Sequence, residues 1–480
     1  MPELSRTVNV EYSHVIGGGR AWRRGHAVHW AAVLFFVVLA WPFLRKGERG
    51  EWHNCFLRAA HRLQAGERIH FAHEPNAYAY PPAMAMFAVP LANLPFRASL
   101  AMWYLVNVAA TSAAVACAWR LIGGGSLTAL DGRQKVVLAL GLLLAARFLI
   151  APLENQQFDA VIAACLLAGC LALARGQTIW SAVLLGLAAA MKCTPLLFAP
   201  YLVWRGHLKA AAMLVFIAVA VNRLPDWFWP QAAGGSYLGD WVGTFLLKIG
   251  RTAPGVWDSD LVLNQSLSGM INRFFQAGLP LSPADLPTAH AALSTTTIHS
   301  MRLLVYGVSL GLAAFTAWRF GGPLRRASAW AVSDRAGFRV QGSGFSGDWS
   351  DVRTAIEASA IVCLMLLLSP MSSKAHYVVL LLPCLVLARA VVERRLDARW
   401  WLPPLLILGP LTSKGITGKP LGDLLLAWGF PTWFVIVLLG AMWVLLPPAR
   451  FGQYRDHRDD RADRAEDSHH QAEDRASPAM

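Results

Sequence analysis

Residues 136–175 read VVLALGLLLAARFLIAPLENQQFDAVIAACLLAGCLALAR. Two apolar runs, 136–152 and 160–174, flank one polar turn, Glu154-Asn155-Gln156-Gln157 with Asp159. An α-helix crosses a hydrocarbon core of about 30 Å with roughly 17–25 apolar residues, so the pair reads as two membrane helices joined by a short turn. The first run follows Arg133 and Lys135, and the second ends at Arg175. Cytoplasmic turns carry an excess of Lys and Arg. The basic ends are therefore assigned inside and the Glu154 turn outside.

The same reading extends along the chain. The 480 residues are 55% hydrophobic and only 15% charged, where a soluble domain is about 25% charged. The class is an all-α polytopic membrane protein. The net charge of +14 has a topological explanation in the arginine-rich turns, so nucleic acid is not an expected partner. Seven cysteines, most of them in apolar runs and without a CxxC pair, read as small buried hydrophobes. The run Val28–Leu44 is long for a cleavable signal and no Ala-x-Ala follows it, so it reads as a retained first helix.

Counting by sign gives about twelve spans, at 27–44, 98–119, 136–152, 160–174, 179–191, 196–204, 210–222, 301–318, 354–368, 376–390, 401–412 and 427–447, with both ends inside. Residues 1–26 form a cytoplasmic segment, 27–447 the membrane domain, and 448–480 a charged cytoplasmic tail expected to be disordered. The first outer loop is 45–97, a long outer segment is 223–299, and an inner loop carrying Arg325, Arg326, Arg335 and Arg339 is 319–353. Within the first loop, Trp52, Phe56, Ala59 and Leu63 recur at helical spacing, which predicts an amphipathic helix over 51–65 at the membrane interface. Pro81–Leu94 is apolar but short and reads as a dipping segment. The outer loop also carries Arg45, Lys46, Arg49, Arg58, Arg62 and Arg68. These either meet a lipid phosphate or are charge that a long loop tolerates.

On this topology the polar motifs gather on the outer side: Tyr80-Pro81-Pro82, Glu154 to Asp159, Lys192-Cys193-Thr194-Pro195, Asn264-Gln265-Ser266, and Ser369-Pro370 through His376. Glu51 opens the loop helix and is either a general base at the membrane surface or a charge favoured by the helix dipole; His53 is an alternative base. Tyr80 suits a sugar ring or an interfacial belt. Glu154, Asn155, Gln156, Gln157 and Asp159 either hold sugar hydroxyls, since polar clusters at membrane depth are expensive, or form a solvated turn. Lys192 either meets a lipid phosphate or reaches the headgroups. Lys374 and His376 either offer a cation and an imidazole to a phosphate or belong to a polar outer turn. Asp258-Ser259-Asp260 is a metal-binding candidate or a loop turn. No Walker A loop, HExxH, GxSxG or dinucleotide fingerprint occurs.

Taken in order, these motifs resemble glycosyltransferase family 87, polyprenyl-phosphate-dependent mannosyl- and arabinosyltransferase-like enzymes of the GT-C superfamily. The resemblance covers roughly 50–390. It rests on Glu51-Trp52 with Ala59-Ala60 and Ala65-Gly66, Tyr80-Pro81-Pro82 with Pro90-Leu91, Glu154-Asn155-Gln156-Gln157, Lys192-Cys193-Thr194-Pro195, Asn264-Gln265-Ser266, and Ser369-Pro370, Ser372 and His376. The chain departs from the family where Glu51 replaces the usual Asp, Ser373 a Trp and Ala375 the first His of a pair, and in the order of the Glu154 motif.

The resemblance implies a GT-C bundle with an extracytoplasmic active site under the first loop, in a bacterial-type plasma membrane. The donor is a sugar on a polyprenyl phosphate; the acceptor is a glycolipid or glycan. Glu51 is the expected base, in one inverting displacement. His53, Tyr80, Glu154, Asn155, Gln156, Gln157, Asp159, Asn264 and Gln265 are expected to bind substrate, and Lys192, Lys374 and His376 the donor phosphate. No cofactor is expected, and a divalent metal is compatible with the site but not required, because a lipid phosphate already departs as an anion. The alternatives are a lipid-linked sugar transporter, which needs a polar path through the bundle, and a non-catalytic scaffold.

Overall fold

The computed structural model describes residues 15–72, 74–249, 252–255, 262–278, 280–286, 293–321, 345, 349 and 351–446. The tail 448–480, Asp258 to Asp260, and Arg325, Arg326, Arg335 and Arg339 lie outside the described residues. Among those described, every regular element is helical.

The chain runs through α1 (Val15–Lys46), a π-helical turn (Trp52–Leu57), α2 (Arg58–Gln64), α3 (Pro82–Ala92), α4 (Phe96–Leu121), α5 (Gly132–Asn155), α6 (Asp159–Ala174), α7 (Thr178–Met191), α8 (Phe198–Trp204) and α9 (Leu208–Phe228). It continues through α10 (Tyr237–Trp241), α11 (Leu247–Ile249), α12 (Leu267–Ala277), α13 (Thr295–Phe320), α14 (Arg353–Leu368), a 3₁₀ stretch (Lys374–Leu380), α15 (Leu381–Val392), α16 (Ala398–Leu408), α17 (Lys414–Thr417), α18 (Lys419–Ala427) and α19 (Phe430–Leu445). In the core α6 packs between α4 and α7, α7 against α9, α15 against α5, and α14 against α19.

Among the described residues five helices are long and apolar enough to cross a membrane: α4, α5, α9, α13 and the segment Lys374–Val392. A sixth is reached if α18 and α19, bent by 50° at a short break, form one span. The expectation was about twelve. For the spans expected at 160–174, 179–191, 196–204, 354–368 and 401–412 the difference lies in length. α6 has 16 residues, α7 has 14, α8 has 7 and α16 has 11, short of the ~20 that span the core upright.

The amphipathic stripe of the first loop forms, with a different partner from the one expected. Trp52, Phe56, Ala59 and Leu63 are all buried, and the π turn and α2 bury them against α3 rather than presenting them to lipid. The segment expected to dip, Pro81–Leu94, holds α3, only 11 residues long. Its entry is fixed by Asn222 of α9, whose side chain accepts from the Ala83 N–H at 2.9 Å and donates to the Ala190 and Ala218 carbonyls at 3.0 and 2.8 Å. One buried amide thus joins α3, α7 and α9, a link that no local pattern signals.

Much of the first loop's positive charge is structural. Arg58 and Arg62 reach Glu74 at 3.5 and 2.6 Å, and Arg68 reaches Asp240 at 3.2 Å. Arg58 also donates to the carbonyls of Pro75 and Asn76. These three arginines fold the loop back on itself and onto α10.

The opposite end of the bundle is closed by charge as well. Glu357 of α14 is fully buried. Its carboxylate accepts from the Tyr201 hydroxyl at 2.9 Å and from Arg353 at 2.8 Å, and Arg205 pairs with both of its oxygens. Buried carboxylates need this density of donors to offset desolvation.

Candidate active site

The site is assembled where the first loop meets the α5–α6 turn. Trp52 anchors the loop. Its Nε1–H donates to Ser99 Oγ at 3.0 Å, and its ring stacks on Trp103 at 4.5 Å with 13° between planes. Trp103 in turn donates to the Gln156 carbonyl at 3.0 Å, and Phe158 packs against Trp52, Phe56 and Trp103. An aromatic wedge therefore fixes the start of the loop helix against the polar turn.

Gln156 is the pivot of that turn. It ends α5 in the left-handed region with φ 60°, which costs a non-glycine residue energy and persists only where surroundings impose it. Its side chain donates to the Phe43 carbonyl at 2.7 Å and passes directly over Gly50, where a Cβ would fall 1.7 Å from Gln156 Oε1. This bend aims the next residue: Gln157 donates from Nε2 to Glu51 Oε2 at 2.7 Å.

Glu51 is partly buried, and its carboxyl is pushed up to about 7. Burial is the largest cause; Asp159 adds to it, while the Gln157 hydrogen bond and the charges of Lys46 and Lys192 oppose it. A carboxylate poised near neutral pH has the proton affinity that general-base work requires.

Asp159, the first residue of α6, pairs with Lys192 at 2.8 Å. Lys192 lies just past the end of α7 with its ammonium 5.9 Å from the Tyr80 ring centre. His376 has Lys192 and Asp159 as its charged neighbours. A cavity of about 20 Å³ lies among Asp159, Lys192, Thr194, Ser372 and His376. Two buried acceptor oxygens here, Asp159 Oδ2 and Gln157 Oε1, find no donor among the described residues. Acceptors without donors are the complement of hydroxyl groups.

Tyr80 packs on Phe56 and Tyr78. Its carbonyl is met by His70 Nε2 at 3.0 Å. Burial lowers the His70 imidazole to about 4, so the ring is neutral at pH 7 and its N–H donates.

Other expected site residues lie elsewhere or are engaged. Asn155 accepts from Lys46 at 3.0 Å. His53 packs edge-on against Phe96 and contacts Asn54. Glu154 pairs with Arg147 at 2.8 Å. Lys374 donates to the Thr412 carbonyl at 3.1 Å, and its charged neighbours are Arg147, Lys414, Glu154 and Asp423. Lys374 therefore belongs to a second polar cluster, whereas His376 faces Asp159. Asn264 and Gln265 tie the outer segment down. Asn264 donates to the Pro370 carbonyl and accepts from the Ser372 N–H, and Gln265 donates to the Leu426 carbonyl. Trp52, Trp103 and Arg147 were not singled out as site residues from sequence; the first was visible as a member of the apolar stripe and of the Glu51-Trp52 pair. Among the described residues no group of three or more His, Cys, Asp and Glu converges.

Taken together, these features define a membrane protein, helical throughout its described residues, with a carboxylate-centred polar site at one end of its bundle. The chain belongs to glycosyltransferase family 87, whose profile matches residues 78–334. That match includes Tyr80, Gln157, Asp159 and Lys192, while Glu51, Lys374 and His376 fall outside it. The chain is also similar to a polyprenol-phosphate-mannose-dependent alpha-(1-2)-phosphatidylinositol pentamannoside mannosyltransferase of Mycobacterium tuberculosis (strain CDC 1551 / Oshkosh), with 26% identity over 374 residues. The alignment takes in 77% of this chain and 65% of the relative's length. No solved structure matches.

Proposed function

We propose that the chain is a membrane glycosyltransferase that moves a sugar from a polyprenyl-phosphate donor to a hydroxyl of a glycolipid or glycan, with Glu51 as base. One observation carries this reading. Glu51 is held near neutrality by burial, with one amide donor, beside an ion pair and two acceptors that lack donors.

In the step, the acceptor O–H gives its proton to Glu51. The freed oxygen bonds to the anomeric carbon while that carbon's bond to the phosphate oxygen breaks. The polyprenyl phosphate leaves with the electron pair, and the single displacement inverts the centre. Gln157 and Asp159 accept from sugar hydroxyls, and Tyr80 gives the ring a face. Lys192 and His376 meet the negative charge that grows on the leaving phosphate, while Lys374 stays with its own cluster around Thr412. The lipid phosphate departs as an anion, so this step does not itself call for a metal.

The relative named for polyprenol-phosphate-mannose and phosphatidylinositol pentamannoside favours mannose and a glycolipid acceptor. The basic turns at Arg133, Lys135, Arg175, Arg205 and Lys209 support a cytoplasmic location for the opposite end and so favour Glu51 on the extracytoplasmic face of the plasma membrane.

The test is transfer by the purified chain in lipid. Radiolabelled polyprenyl-phosphate mannose or arabinose is supplied with a membrane-lipid acceptor extract. Labelled glycolipid is expected from wild type and much less from His376→Ala. A folded preparation that makes no product from either donor contradicts the reading.

A further inference from the structure

At the end of the bundle away from Glu51, a cleft of about 410 Å³ opens between α4, α6 and α7. Its floor is Ala168 and Ala172 of α6 and Cys117 of α4, its wall Leu184 of α7, and its lip Arg175 and Trp180. The volume falls in the range of small-molecule sites, about 300–1,000 Å³. α6 has 16 residues between Asp159 and the lip, roughly 24 Å at 1.5 Å per residue. The cleft is therefore separate from the active site.

The two parts of this cleft have opposite chemistry. Alanines on successive turns of α6 leave an apolar trough on the surface of a membrane protein. Arg175 is exposed just beyond the α6 C-terminus, and Trp180 is 63% exposed beside it. Trp and Arg at a helix end are the groups that sit at headgroup level.

We propose that this cleft binds one anionic phospholipid, its acyl chain along Ala168 and Ala172 and its phosphate against Arg175. Charge complementarity selects an anionic headgroup over a zwitterionic one, and the apolar floor selects a lipid over free phosphate. The inference stands apart from the transferase reading, since the cleft and the cavity at Asp159 share no lining residue.

The test is native mass spectrometry of the full chain in detergent with added phosphatidylglycerol or phosphatidylcholine. Wild type is expected to retain phosphatidylglycerol over phosphatidylcholine by about fivefold, the worth of one basic side chain beside an anionic lipid. Arg175→Gln abolishes the preference and Ala168→Phe, which fills the trough, abolishes retention, with thermal melting in detergent as the control for folding. Retention of phosphatidylglycerol by both variants at the wild-type level overturns the proposal. So does displacement by equimolar polyprenyl phosphate, which assigns the cleft to the donor lipid.

Discussion

Two glutamates at opposite ends of the bundle have opposite surroundings. Glu357 accepts from a tyrosine hydroxyl and two arginines. Among the described residues Glu51 has one side-chain donor, the Gln157 amide, and its carboxyl is pushed up to about 7. The first carboxylate is neutralised and holds helices together. The second remains costly to ionise, which makes it able to take a proton. Whether a polar group in a membrane bundle is structural or chemical is decided here by how completely its neighbours satisfy it.

The comparison breaks most sharply at Glu51. Glu51→Gln keeps the size and the contact with Gln157 but cannot accept a proton. Transfer is expected to fall by about 10³-fold, within the range for loss of a general base, with the melting temperature unchanged. A stability loss at Glu51→Gln, measured by thermal unfolding in detergent, places this residue with Glu357 instead.

Glu357→Gln is the reciprocal change. It leaves Arg205 facing a neutral amide inside the protein, and one-sided removal of a buried pair costs about 3–5 kcal/mol. A large drop in denaturation midpoint is expected, with turnover per folded molecule near wild type. A selective loss of turnover would argue that both glutamates do chemistry.

A smaller effect is expected at the turn that aims Gln157. Gly50→Ala drives a methyl into Gln156, rotating the turn and loosening the Glu51–Gln157 contact. Transfer is expected to fall roughly tenfold, the penalty of misplacing a catalytic group by a fraction of an ångström. Adding Gln156→Ala to Gly50→Ala removes the collision, and its assay separates crowding from any role of Gly50 itself. The smallest effect is expected at His53→Ala. That ring faces Phe96 and Asn54, and a change under twofold in transfer rate is consistent with Glu51 as the base.

The sequence made one half of this comparison legible. Helical spacing marked Trp52, Phe56, Ala59 and Leu63 as one face, and all four are buried. The charge pattern gathered the polar turns, and Glu51, Gln157, Asp159, Lys192 and His376 do converge. What it left hidden was partner choice. Gln157 and Glu51 are 106 residues apart and Arg205 and Glu357 are 152 apart, and no local periodicity reports which distant side chain completes a carboxylate. The same limit hid the division of the cations: Lys374 and His376 are neighbours in sequence, yet their charged neighbours are different residues. The π turn at Trp52–Leu57 and the left-handed Gln156 were hidden for a related reason, since packing imposes them on residues that do not favour them locally.

The most direct measurement is the pH dependence of transfer at saturating donor, in wild type and Glu51→Gln. If Glu51 is the base, its protonated form below about 7 is inactive. Wild-type rate then climbs through neutrality to a plateau on the alkaline side, and the residual rate of Glu51→Gln is flat over the same range. A Glu51→Gln protein that retains the wild-type rate and the wild-type rise with pH contradicts the account.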